Sequence, residues 1–390
     1  MSNVIENDQT YIAGTYARFP VVLSHGKGCK VYDENEKEYI DLTAGIGVNA
    51  LGYADEEWAM AVAKQAQTLP HVSNLYYSKP DTEVARILCE KTGFKKMFFA
   101  NSGAEANEGA IKVARKYSSD RYGEGRNEII TLVNSFHGRT ITTLTATGQD
   151  HFHQHFHPFT PGFSYAAAND LQDMKEHISD RTCAVMMELI QGEGGVLPLD
   201  PDYVQAVAKL CQEQDILLII DEVQTGVGRC GSLYAYEQYG IHPDIITTAK
   251  GLGNGLPIGG VLLADKVQDT LGAGDHGTTF GGNPIACAGA EVVLSRMNEE
   301  LYTQVKELGE YMKEQLLAMP HIVQVNGLGL MRGAVLDGPS AREVVNGCLK
   351  EGLLLLTAKD KLRMLPPLTI TKEEIDAAMA ILNKVLSNWK

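Results

Sequence analysis

The 390-residue sequence has no Cys-x-x-Cys pair, no basic excess, no long apolar run and no low-complexity tract, and each absence removes a class of function. Its seven cysteines (Cys29, Cys89, Cys183, Cys211, Cys230, Cys287 and Cys348) stand singly and are odd in number. That pattern suits reduced thiols in the cytosol rather than a disulfide framework. A formal net charge of −15 gives no long-range attraction to polyphosphate or anionic lipid, so neither nucleic acid nor a membrane surface is expected as a partner. Any anionic ligand must be met by local cations. No segment reaches the roughly 18 uninterrupted apolar residues of a membrane span. Met1–Gln9 is polar and acidic, without the basic start and apolar run of a signal peptide. These features predict a soluble protein of the cytoplasm.

What is present supports a large core: 44% of residues are hydrophobic and 21% charged. Short apolar runs bounded by Gly, Asn or Asp recur at Lys96–Ala100, Glu128–Val133, Cys183–Ile190, Ile216–Ile220, Asp244–Thr248 and Gly260–Leu263, and read as buried parallel strands. Ala104–Tyr117 and Asp202–Gln214 carry apolar residues at three- and four-residue spacing and read as helices between them. The alternation predicts an α/β fold whose large domain spans about residues 50–300. Residues 1–49, with a hairpin at Lys30–Asp41, and residues 301–390 are expected to build a smaller α+β domain together. That C-terminal part reads as a long helix from Glu299, strand-like His321–Leu336 and an amphipathic helix from Lys372.

The chemistry-bearing residues sit at strand ends. Leu217–Ile220 is apolar and stops at Asp221, Glu222 and Gln224, the position at which open α/β sheets bind ligands. Twenty-nine positions later, Lys250 leaves another apolar strand into the turn Gly251-Leu252-Gly253-Asn254-Gly255. That spacing allows a crossover placing Asp221 and Lys250 on one edge of the sheet. A strand-end amine facing a carboxylate is what pyridoxal phosphate needs, although a buried ion pair would use the same residues. Asn101-Ser102-Gly103-Ala104 turns from a strand into a helix, where free N–H groups form an anion cradle or simply an N-cap. It is neither a Walker loop nor a Gly-x-Gly-x-x-Gly fingerprint. Phe136 and Arg139 follow the next strand: the ring could stack on a planar cofactor and the guanidinium could grip a carboxylate. Glu188 and Glu193 lie in a glycine-rich stretch, a second pair of strand-end carboxylates with turn-capping as the alternative use of either.

Taken in order, Asn-Ser-Gly-Ala-Glu-Ala-Asn-Glu (101–108), Phe-His-Gly-Arg-Thr (136–140), Gln-Gly-Glu-Gly-Gly (191–195), Asp-Glu-Val-Gln-Thr-Gly (221–226) and Ala-Lys-Gly (249–251) resemble the class III, ornithine-type, aminotransferases. The resemblance runs from about Tyr16 to Leu368. It implies a fold type I pyridoxal-phosphate transferase, a homodimer, and a large domain of mostly parallel sheet flanked by helices. Segments 71–76, 146–149 and 276–284 favour the branch acting on N2-acetylornithine, with 2-oxoglutarate as acceptor, in arginine biosynthesis. Ornithine, succinylornithine and 4-aminobutyrate remain as other donors, and a non-catalytic module borrowing the fold as a further alternative.

The resemblance makes Lys250 the Schiff-base lysine, Asp221 the partner of the pyridine nitrogen, Gln224 the partner of the phenolic oxygen and Phe136 the stacking ring. Ser102, Gly103 and Ala104 would hold the phosphate. Thr279 would reach the phosphate of the neighbouring subunit and Thr278 that subunit's substrate. Arg139 would take the distal carboxylate, Arg363 the glutamate α-carboxylate, and Glu193 would mask Arg363 for the other substrate. The family often has Gly-His-x-His-Pro where Gly52–Glu56 stands, which puts only local loop or interface structure in question. The alternating histidines 151, 153, 155 and 157 invite a zinc reading, but a loop-like stretch ending in Pro158 lacks a supporting shell and no metal is expected.

Overall fold

A seven-stranded sheet organises the computed structural model, which describes residues 3–389; Met1, Ser2 and Lys390, at the outer ends of the expected small domain, lie outside them. Its strands are ordered Phe163–Ala166, Glu128–Leu132, Thr182–Met187, Leu217–Asp221, Ile245–Thr248, Gly259–Leu263 and Lys96–Ala100. The first five are mutually parallel. Gly260–Leu263 was expected among the parallel strands, yet Gly259–Leu263 runs antiparallel to both neighbours. The connection before it, residues 249–258, is too short for the crossover of about a dozen residues that a parallel return requires. Lys96–Ala100, reversed once more, points the same way as the first five. Their carboxyl ends therefore share one edge.

The central strands are buried along their whole length, which is why they read as continuous apolar runs. Helices cover both faces. Gly103–Tyr122 starts where the Ser102 side chain accepts from Glu105 N–H, and it buries Ala106, Gly109, Ala110, Val113 and Ala114. Such small residues let the helix lie close on the sheet. Pro201–Glu213 is capped by Asp200, begins on a proline and buries Tyr203, Val204, Val207 and Cys211 at helical spacing.

The chain's two ends meet in a separate sheet. Leu23–Lys27, Lys30–Asp33 and Glu38–Asp41 form an antiparallel meander, and Leu353–Leu354 adds to it in parallel from the C-terminal part. Another sheet orders Ile322–Leu328, Met331–Leu336, Lys361–Met364 and Leu356–Ala358, all antiparallel. The strand-like stretch 321–336 is thus a hairpin. It turns at Gly329, whose φ of 51° and closeness to the Arg229 carbonyl leave no room for a side chain. Lys372–Ser387 closes the chain behind a full capping box of Thr371 and Glu374. No helix among the described residues is long and apolar enough to cross a membrane.

Candidate active site

The shared carboxyl edge opens into a cavity of about 430 Å³. Asp221 ends one strand, and its register partner Thr247 lies on the adjacent strand, three residues before Lys250. Both Asp221 and Lys250 line the cavity. One residue past the strand, beyond Ala249, Lys250 has a φ of 43°, an uncommon conformation for a residue with a side chain, which carries the chain away from the strand direction. As a residue Lys250 is half-buried, but its amine is enclosed. Burial lowers its pKa, with Arg363 adding to the effect and Glu193, Asp221 and Glu188 opposing it.

Asp221 is held by donors alone. Its Oδ2 accepts from His137 Nδ1 at 2.8 Å and from Asn107 Nδ2 at 2.8 Å, and its Oδ1 from Val223 N–H at 3.0 Å. Because a carboxylate only accepts here, His137 carries its proton on Nδ1. Asn107 Nδ2 also donates to the His137 carbonyl, while Asn107 Oδ1 accepts from Thr247 Oγ1 at 2.7 Å. None of Asn107, His137 and Thr247 was anticipated as a site residue. The available signal for Asn107 was a polar residue on the largely apolar buried face of its helix.

Across the cavity, Ser102, Gly103 and Ala104 begin the helix 103–122. The Ser102 hydroxyl is occupied by Glu105 N–H, so the Gly103 and Ala104 N–H groups have no acceptor among the described residues. A Cβ on Gly103 would come within 2.7 Å of Val223 Cγ1, so only glycine keeps this approach open. Phe136 lines the cavity, and its N–H donates to Glu188, which also accepts from Gly192 N–H. Glu188 does cap the turn: burial pushes its pKa up to about 7, Asp221 adding and His137 opposing.

Gln224 lines the cavity with its side chain lying where a Cβ on Gly192 would be. Behind it, Arg363 Nη1 donates to Glu193 Oε1 at 2.5 Å and reaches Gln224 Oε1 at 3.5 Å. Burial pushes Glu193 up, but Arg363 outweighs it and the carboxyl titrates below its usual range. Arg139 lines the cavity and is exposed, with no carboxylate partner among the described residues. Thr278 and Thr279 do not line this cavity. Thr278 Oγ1 accepts from Asn101 Nδ2 at 2.8 Å, and Thr279 is exposed. The histidine run forms a short turn and loop. Among the described residues no group of three or more His, Cys, Asp and Glu is placed to hold a metal.

This donor set fits pyridoxal phosphate. Two unpartnered N–H groups at a helix start suit a phosphate, a fully supported carboxylate suits a ring nitrogen, an aromatic face lies between them, and the enclosed amine suits an aldehyde.

The aminotransferase class-III family matches residues 11–386. An acetylornithine aminotransferase of Haemophilus ducreyi is 56% identical, over 97% of each chain. Among solved structures, an N-acetylornithine aminotransferase of Stenotrophomonas maltophilia superposes with a TM-score of 0.86 at 35% identity, covering 98% of each chain. An ornithine aminotransferase of Toxoplasma gondii, which holds pyridoxal phosphate at partial occupancy in its active site, gives 0.93 at 34% identity, over 99% of this chain and 94% of that one.

Proposed function

The chain belongs to the class III aminotransferases, and on that premise we propose that it moves the terminal amino group of N2-acetylornithine to 2-oxoglutarate, giving N-acetylglutamate 5-semialdehyde and glutamate. One observation supports this reading most: Arg139 lines the cavity without a carboxylate partner among the described residues, while a second arginine, Arg363, lies behind Gln224 and is already paired to Glu193. Two substrates that differ in the place of their carboxylates need such a pair of receptors.

Bound pyridoxal phosphate supplies an electrophilic aldehyde and a ring that accepts the electron pair left when the amine-bearing carbon loses its proton. In this reading Lys250 Nζ takes that proton and returns it, and its lowered pKa keeps the neutral amine accessible. Asp221 holds the proton of the ring nitrogen, and Gln224 donates to the phenolic oxygen. The Gly103 and Ala104 N–H groups, with the Ser102 hydroxyl, hold the phosphate, and Phe136 packs on the ring. Arg139 takes the distal carboxylate of either substrate. Arg363 takes the α-carboxylate of glutamate once Glu193 releases it.

A homodimer completes the proposal. Leu75, Tyr76, Tyr77 and Phe280 are exposed by 82%, 74%, 100% and 60% around the Thr278–Thr279 loop, an apolar patch that a second copy would cover. Thr278 and Thr279 would then face the partner's cavity. Seven free cysteines, six of them buried, support a reducing cytosolic setting.

The test compares purified enzyme on N2-acetylornithine, succinylornithine, ornithine and 4-aminobutyrate with 2-oxoglutarate. The highest kcat/KM should fall to N2-acetylornithine; an equal or higher value for free ornithine or 4-aminobutyrate would overturn the assignment.

A further inference from the structure

Arg139 has neither a hydrogen-bond acceptor nor an ion-pair partner among the described residues, although it lines a cavity built for anions. What locates it instead is a pair of aromatic rings. Its guanidinium carbon lies 3.9 Å from the Phe152 ring centroid and 5.6 Å from that of Phe136. The two rings meet edge to face at 6.0 Å. Phe136 lines the cavity, whereas Phe152 stands one layer behind, in the histidine-rich segment that the reaction does not otherwise use.

That segment is anchored. Phe152 ends the short helical turn Asp150–Phe152, and its N–H donates to the Gln149 carbonyl. Gln149 Nε2 donates to the carbonyl of Ser135, the residue before Phe136. His153, next along, bonds the Leu144 carbonyl through Nε2 at 2.9 Å and packs against Phe159 and Tyr165. The His151 ring covers Phe152 with centroids 3.8 Å apart. The ring is thus fixed to the same two pieces of chain, 135–136 and 141–146, that flank Arg139.

We propose that Phe152 is a positioning residue for substrate recognition: it holds the Arg139 guanidinium through its π face, leaving the N–H donors free for the distal carboxylate. A carboxylate in place of the ring would fix the arginine equally well but consume those donors, and water alone would leave a long side chain to be ordered at binding. The inference rests on the reading of Arg139 as the carboxylate receptor.

The test measures Kd for glutarate, a dicarboxylate without an amine, and KM and kcat for N2-acetylornithine and for pentylamine, an amine without a carboxylate, in holoenzyme. Phe152→Leu should weaken glutarate and raise KM for N2-acetylornithine by about three- to thirty-fold, the range of a cation–π contact. Its kcat for N2-acetylornithine, its kinetics with pentylamine and its cofactor absorbance should stay within about twofold of wild type. Phe152→Tyr, which keeps the ring, should behave as wild type. In an Arg139→Ala background, Phe152→Leu should add nothing. If Arg139→Ala weakens glutarate but Phe152→Leu does not, the positioning role is overturned while the receptor stands. If Arg139→Ala leaves glutarate unaffected, the reading beneath it fails. Equal losses with pentylamine and N2-acetylornithine would mark Phe152 as merely structural and also overturn the proposal.

Discussion

Arg363 donates to Glu193 through Nη1 alone at 2.5 Å, while its buried Nε has no partner. A one-pronged pair leaves part of the guanidinium unsatisfied in an enclosed place, so an incoming α-carboxylate that engages more donors can displace Glu193. Arg363→Ala should cost the glutamate/2-oxoglutarate half-reaction about 2–5 kcal/mol in kcat/KM and the acetylornithine half-reaction far less. Single-turnover spectra of each half-reaction measure this separately, and equal losses would rule the exchange out. Arg139→Ala should harm both.

Lys250→Ala should abolish turnover and remove the visible band of lysine-bound cofactor that borohydride bleaches. Among the described residues no other lysine lines the cavity. Asp221→Asn should retain cofactor and lose most activity, since an amide cannot hold the ring-nitrogen proton by charge. Cofactor titration followed by absorbance separates binding from turnover. Near-normal rates in either variant would sink its assigned role.

Glu222, next to Asp221 but facing away from the cavity, supplies a pH signature of folding. Its carboxylate accepts from Tyr236 N–H at 2.8 Å and from the Thr225 hydroxyl, and burial raises its pKa from 4.5 to about 7. Between those values the folded chain binds the extra proton, so the contribution is fully present below 4.5 and lost as pH rises through about 7. Glu222→Gln should therefore gain on wild type by on the order of 1–3 kcal/mol between pH 4.5 and 8. Urea unfolding of both proteins across that range gives the difference directly. A constant difference would mean that Glu222 stays charged in the fold.

How much of this was legible in the sequence depended on how local the cause was. Asp221 ends an uninterrupted apolar strand and Lys250 lies two residues beyond the buried strand Ile245–Thr248, and their spacing alone permitted neighbouring positions on one edge, which the register of 219–221 with 245–247 provides. The direction of Gly259–Leu263 was missed because its residues carry no sign of orientation; only the short connection before it decides. Phe163–Ala166 escaped because it is a four-residue edge strand, half-buried for most of its length. The helix Ala341–Lys350 and the strands around Arg363 also went unread, since a short strand such as Lys361–Met364 is defined by its partners in 331–336 and 356–358. Arg363 entered by family resemblance and Phe152 not at all. A cation–π contact between residues thirteen apart in a loop has no periodicity to betray it.

Thr247 tests whether the support of Asp221 extends one residue further than the residues that touch it. Thr247 Oγ1 donates to Asn107 Oδ1 at 2.7 Å, which leaves Asn107 Nδ2 facing Asp221 and the His137 carbonyl, both of which can only accept. Thr247→Val keeps the shape and removes the hydroxyl, so the amide loses one of the three bonds that oppose its flipping. A flipped Asn107 would turn its oxygen toward the Asp221 carboxylate, a repulsion inside a buried network. The expected outcome is a fall in kcat of about three- to ten-fold, on the order of one hydrogen bond, with KM for both substrates unchanged because neither carboxylate receptor is touched. Asn107→Leu, which removes the donor outright, should lose more. Adding Thr247→Val to it should then change little, as the hydroxyl would have no amide left to orient. If Thr247→Val matches wild type in kcat while Asn107→Leu is impaired, the orientation of Asn107 is set by Asp221 and His137 alone.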